Sequence, residues 1–149
     1  MKEVWRPSVT VAAVIERDGK FLLVEELIDG RKVINQPAGH LDPGESLAAA
    51  CAREVLEETA HRFEPTGLVG VYRWYYAPKD VTFLRFCFRG NVLGVEDRKL
   101  DKEIIGLLWF TREQVKASAA VRSPLVLRCV DDYLAGRNYP LDVFSKEFA

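Results

Sequence analysis

The sequence predicts a single α/β domain spanning residues 1–149. Three observations predict it. Strand-like and helix-like stretches follow one another in the order strand, strand, helix, strands, helix. The length suits one domain with a sizeable core. Hydrophobic residues at 48% against charged residues at 29% give an ordinary globular balance, with no repeat, low-complexity segment or linker.

Val9 to Ile15, rich in Val and Ala, reads as a buried strand. Arg17-Asp18-Gly19 is a turn signal, and Phe21 to Val24 follows as the hairpin partner. Ile28-Asp29-Gly30-Arg31 marks a second turn before a short extended piece, Lys32 to Gln36, and Pro37 ends regular pairing. Asp42-Pro43-Gly44 is a turn, Ser46 an N-cap, and a helix is predicted over Leu47 to Thr59. Ala48, Ala52, Val55 and Thr59 form a narrow stripe of mostly small residues that lets this helix lie close to a sheet. Leu68 to Tyr76 and Val81 to Val92 read as strands joined by Ala77 to Asp80, and Ile104 to Phe110 as a further strand. Thr111-Arg112-Glu113-Gln114 is a capping-box sequence opening a short helix. Ser123-Pro124 starts another, closed by Gly136, and the tail from Asn138 to Ala149 reads as peripheral.

The chemistry concentrates in the first helix. Glu54, Glu57 and Glu58 fall at about 0°, 300° and 40° around its circumference, on one face. A Glu-rich face is usually a solvated one, and Arg53 is placed to pair with Glu57 four residues on. Three carboxylates at these spacings nevertheless repel, so helix stability does not explain them. A hard divalent cation does, because it takes anionic oxygen ligands. The backbone carbonyls of Ala38 or Gly39, just upstream, are in range to face such an ion.

The full spacing is more specific than the glutamates alone. Gly39 is followed after five residues by Glu45, seven residues later by Arg53-Glu54, then by Val55 and Glu57-Glu58. This resembles the Nudix hydrolase signature, G-x5-E-x7-R-E-U-x-E-E-x-G-U, where U is a bulky apolar residue. Ala60 stands where the signature has Gly, and His61 where it has an apolar residue. Glycine there suits a left-handed helix end that Ala tolerates poorly, so a different helix exit is expected, with Phe63 taking the apolar role. Asn35 to Leu41, Phe83 to Phe86, Arg122 to Val126 and Tyr139-Pro140-Leu141 also resemble one small bacterial Nudix subgroup. The likeness runs from about Val9 to Leu141.

The resemblance implies a mixed β-sheet sandwiched between helices, and hydrolysis of phosphoanhydrides in nucleoside tri- and diphosphates and in thiamine-related pyrophosphates such as hydroxymethylpyrimidine pyrophosphate. It implies Mg2+, with Mn2+ as the alternative, held by Glu54, Glu57 and Glu58 with the Gly39 carbonyl. Arg53 is implied to orient a neighbouring glutamate, and Glu45, at the helix entrance, to support it. Glu54 or a loop acid is expected to accept the proton of the attacking water. A further carboxylate from the charged loop Glu96 to Lys102 and its flank is expected at the metal. Glu103 is the candidate, with Glu96 and Asp101 as alternatives.

Trp74 and Arg85 suit a heteroaromatic ring beside a phosphate chain. Arg85 sits in an apolar strand context, where an unpaired buried charge is expensive. It is expected either to face out or to meet an anion. Arg122, beside the Ser123 N-cap, is a second phosphate-binding candidate. His40 and His61 are too isolated to form a catalytic pair.

A net charge of −1 sets up no field for nucleic acid or anionic membrane. That disfavours a hydrolase of RNA 5′ ends, and the intact glutamates disfavour a Nudix module that only binds nucleotide. A hydrolase of nucleoside diphosphate sugars remains a rival. Cys51, Cys87 and Cys129 form no CxxC pair, and the N-terminus has no apolar leader. A cytoplasmic monomer or homodimer, with no membrane or stable nucleic-acid partner, is the expectation.

Overall fold

The computed structural model describes residues 1–146. Nine strands and three helices alternate along it: β1 (Ser8–Ala13), β2 (Glu16–Arg17), β3 (Lys20–Ile28), β4 (Arg31–Asn35), β5 (Ala38–His40), α1 (Leu47–Thr59), β6 (His61–Tyr76), β7 (Val81–Val95), β8 (Ile104–Thr111), α2 (Arg112–Ala117), α3 (Pro124–Leu134) and β9 (Tyr139–Pro140).

The strands form two sheets. The larger runs β5-β1-β7-β6-β9 and is mixed, because β1 lies parallel to β7 while its other pairings are antiparallel. The smaller is centred on β3, which pairs antiparallel with β2, β4 and β8. This corrects one sequence expectation. The hairpin partner of Phe21–Val24 is the two-residue β2, paired Glu16 to Phe21 and Arg17 to Lys20, not the strand starting near Val9. The chain leaves one sheet after Ala13 and enters the other at Glu16, which a hydropathy pattern does not reveal.

Helices cover both faces of the larger sheet. Ala50, Cys51 and Val55 of α1 pack against Val11, Ala13, Phe63 and Phe88 on one face. Leu125, Cys129 and Val130 of α3 pack against Ala12, Val69, Tyr72 and Cys87 on the other. A third cluster joins Leu23 and Ile34 of the smaller sheet to Val115 of α2 and Val126 of α3. Burial of these side chains supplies the main driving force for this layering.

The buried face of α1 is Ala50, Cys51, Val55, Glu58 and Thr59, rotated from the predicted small-residue stripe; Ala48 and Ala52 lie at its margin. Ser46 Oγ accepts from Ala49 N–H at 3.1 Å, and the Thr111 capping box forms both of its bonds. The end of α1 keeps the left-handed geometry despite the missing glycine: Ala60 adopts φ 59°. His61 and Phe63 are both buried, and His61 meets Trp109 edge-on. The tail is also docked rather than peripheral. Tyr139 and Pro140 pair with β6, and Leu141 and Phe144 pack on the α1-side core. Its last residues, 147–149, lie outside the described residues.

Candidate active site

The site forms where α1 passes the outer edge of β5. Val11 lies opposite Gly39, flanked by Ala13 N–H to the Pro37 carbonyl at 3.0 Å and Leu41 N–H to the Val9 carbonyl at 3.2 Å. Antiparallel ladders repeat every two residues. Gly39 therefore turns its backbone groups to β1, while Ala38 and His40 turn theirs outward, to α1. Glu58 Oε1 accepts from Ala38 N–H at 2.9 Å, and Arg53 Nη2 donates to the His40 carbonyl at 3.0 Å. A Cβ at Gly39 would overlap the Glu54 carboxylate, so glycine is required by close approach and not by a turn.

Arg53 organises the acids around it. It donates to both Glu45 oxygens, at 3.0 and 2.7 Å, to Glu54 Oε1 at 2.8 Å and to Glu57 Oε2 at 3.2 Å. One planar fork thus fixes three carboxylates. Its hydrogen bond holds the Glu45 carboxyl below the usual range. Burial raises Glu54, against the pull of Arg53. Burial pushes Glu58 up to about 9, against the Ala38 N–H.

A further acid arrives on the loop after β7. Glu96 N–H binds the Ala60 carbonyl at 2.8 Å, and Asp101 N–H binds the Glu57 carbonyl at 2.9 Å. This clamps the loop to the end of α1. Glu54, Glu57 and Asp101 each offer an oxygen within 4.8 Å of the other two. Arg53 offsets part of the repulsion among these hard donors, and the set as a whole suits a divalent cation.

The same elements occur in known proteins. Residues 4–129 match the NUDIX domain. The chain belongs to the Nudix family. It is 38% identical to Phosphatase NudJ of Escherichia coli strain K12 over 95% of this chain and 93% of that one. A solved Nudix hydrolase from Nitrosomonas europaea is 52% identical, covers 94% of this chain and 97% of its own, and superposes with a TM-score of 0.91. A solved ADP-ribose pyrophosphatase from Streptococcus suis, 21% identical, covers 89% of this chain and 93% of its own with a TM-score of 0.64, which shows the shared fold alone.

Within this Nudix hydrolase the structure sorts the sequence candidates. Glu54 and Glu57 meet as expected of one helix face. Asp101, not Glu103, joins them among the described residues, because the loop is tied down at the Asp101 amide; Glu103 is exposed and its charge acts on Glu26. Glu58 lies outside this three-oxygen group and binds the Ala38 amide. The ladder register turns the Gly39 carbonyl, expected at the metal, toward β1 and leaves the Ala38 carbonyl turned outward.

Arg85 does not face out. It is 9% exposed, donates Nη1–H to Gln36 Oε1 at 2.9 Å, and leaves its Nε–H without a partner. Arg122 has a structural partner that sequence reasoning missed: Glu26, a buried acid of β3, at 2.9 Å. Nothing in the alternation around Glu26 marked it as buried, because a bulge at Glu25/Glu26 breaks the period there. Trp74 is half-buried, stacked on Phe83 with ring centroids 5.7 Å apart and tilted against Tyr76 at 5.3 Å.

Proposed function

We propose that this Nudix hydrolase cleaves phosphoanhydride bonds of nucleoside tri- and diphosphates and small organic pyrophosphates, with a divalent cation, releasing orthophosphate. The observation that carries the reading is the convergence of Glu54, Glu57 and Asp101 oxygens within 4.8 Å. All are carboxylates, a donor set that fits Mg2+, or Mn2+ in its place. The Ala38 carbonyl, turned away from β1, offers a neutral oxygen on the α1 side, and Glu58 anchors that strand edge by accepting from the Ala38 amide. A bound Mg2+ would offset phosphate charge and acidify a water.

The chain's own groups do the rest. Arg53 fixes the rotamers of Glu54 and Glu57 through its fork, and Glu45 fixes Arg53. Glu54, whose burial raises its proton affinity, accepts the proton of the attacking water. The water oxygen bonds to the terminal phosphorus, the bridging P–O bond breaks, and its electrons leave with the shortened phosphate chain. Arg85 and the free donors of Arg122 hold the inner phosphates, and Trp74 borders the organic ring. The free buried thiols Cys51, Cys87 and Cys129 fit a reducing cytosol, and no helix among the described residues is long and apolar enough to cross a membrane.

The test is a time course on a nucleoside triphosphate with Mg2+ and no added pyrophosphatase. Early diphosphate and orthophosphate support the reading. Pyrophosphate as the first product overturns the orthophosphate step. Tight nucleotide binding without turnover makes the chain a binding module instead.

A further inference from the structure

Four side chains line up across the α3-side face of the larger sheet. The registers place His40 of β5 beside Thr10 of β1, Thr10 beside Arg85 of β7, and Arg85 beside Tyr72 of β6. The two outer members are satisfied: His40 Nδ1 lies 3.2 Å from Ser8 Oγ, and Tyr72 donates its O–H to Asp132 Oδ2 at 2.8 Å. The two inner members are not. Thr10 Oγ1 and Arg85 Nε are both buried and have no hydrogen-bond partner, although their residues are 5% and 9% exposed.

Buried polar atoms are almost always paired, so two orphans on adjacent strands in register call for an explanation. Their position supplies one. One tier toward the core, Ala38, Ala12 and Cys87 are fully or nearly fully buried. One tier the other way, Ser8, Phe83 and Trp74 are only half-buried. The orphan pair therefore marks the line where the packed interior gives way to the half-buried rim of Ser8, Phe83 and Trp74.

The charge balance at Arg85 is also incomplete. Its bonded partner, Gln36, is neutral, and the carboxylate whose charge reaches it, Glu26, is already bound to Arg122. Burial correspondingly weakens its hold on its proton. A buried guanidinium with a free N–H, next to a free hydroxyl, lacks an anionic oxygen.

We propose that Thr10 is a substrate-binding residue, its hydroxyl and the Arg85 Nε–H together receiving one anionic phosphate oxygen of the substrate. Gln36 positions Arg85 for this. Its Nε2–H donates to the Ala13 carbonyl at 3.1 Å, and it stands just before the Pro37–Gly39 segment that meets the acids. The inference rests on the phosphoanhydride reading and adds a residue that no motif in the sequence marked.

Thr10→Val separates this from a structural role, because it removes the hydroxyl at nearly constant shape. A hydroxyl that serves the fold would lower the melting temperature when lost. An orphan buried for the ligand's sake does the opposite, since removing an unsatisfied group relieves the free protein. The expected result is an unchanged or raised melting temperature together with a KM raised about tenfold or more for a nucleoside triphosphate, and kcat nearly unchanged. Thr10→Ser should restore KM. Inorganic tripolyphosphate, which has no ring, should compete with substrate in the wild type and about tenfold more weakly against Thr10→Val. An unchanged KM in Thr10→Val, with the wild type active, overturns the proposal and leaves the enzymatic reading intact. So does a KM effect on nucleotides with no change in tripolyphosphate competition, or wild-type enzyme that tripolyphosphate does not inhibit. A wild type that hydrolyses no phosphoanhydride overturns the underlying reading instead.

Discussion

Arg53 and Glu45 meet at two points across eight residues, Nε to Oε2 at 3.0 Å and Nη2 to Oε1 at 2.7 Å. That two-point hold uses one edge of the guanidinium and leaves Nη1 facing Glu54 and Glu57. Lysine cannot reproduce it, because an ammonium is a point charge without a fork. Arg53→Lys should retain the fold and lose about 10- to 100-fold in kcat/KM, the range for a residue supporting metal ligands. Circular dichroism and steady-state kinetics check this, and a fully active lysine variant would remove Arg53 from the mechanism.

Metal dependence separates the acids. Glu57→Gln and Asp101→Asn should each shift the Mg2+ titration of activity to higher concentration, about 10-fold or more. Glu103→Gln should leave it in place. Excess EDTA should abolish turnover, with activity returning on adding Mg2+. A Glu103→Gln effect larger than that of Asp101→Asn would return the loop ligand to Glu103.

Gly39→Ala should fold and fail. The added methyl meets the Glu54 carboxylate, which must swing away from Glu57 and Asp101. Activity should fall by about 10²-fold or more while the melting temperature drops modestly. A variant with wild-type activity would show that Glu54 needs no fixed position.

Ala60→Gly should stabilise the protein. Ala60 sits at φ 59°, where an L-residue with a Cβ costs about 1–2 kcal/mol relative to its preferred backbone. Relief of about 1 kcal/mol should raise the melting temperature by about 2–4 °C in a chain of this size. Activity should not change.

Arg122→Ala should make stability more sensitive to alkaline pH. Burial already raises the Glu26 carboxyl above its ordinary value, and Arg122 opposes that rise. Without Arg122 the folded value climbs further, so the folded state holds a proton that the unfolded state has released. Stability is then fully present below the unfolded value near 4.5 and falls as pH rises towards the folded one. Urea melts at pH 5 and pH 8 should diverge more for the variant than for the wild type.

What could be read from sequence divides along a physical line. Ser46, Thr111 and Ser123 announced their helices because a cap is a local event within four residues. Glu54 and Glu57 were legible for the same reason: helix geometry alone puts them on one face. Asp101 was only one of three loop acids, since its place depends on a hydrogen bond from its amide to the Glu57 carbonyl, far away in sequence. The hairpin partner of β3 was misassigned because β1 and β2 are equally extended, and which sheet each joins is decided by packing. Thr10 was invisible: a threonine in a strand is ordinary until its neighbours on both sides are known.

The outer rim of β5 has one more consequence. A sheet's terminal strand presents unused amide and carbonyl groups on which a foreign strand can grow. Here the Ala38 amide and the His40 carbonyl are occupied by Glu58 and Arg53. The residues assigned to chemistry thus also cap two outward backbone groups of this edge against strand-to-strand polymerisation. Neutralising them uncovers a sticky border, so an inactive Arg53 or Glu58 variant should be weighed in solution by light scattering before its lost turnover is ascribed to catalysis.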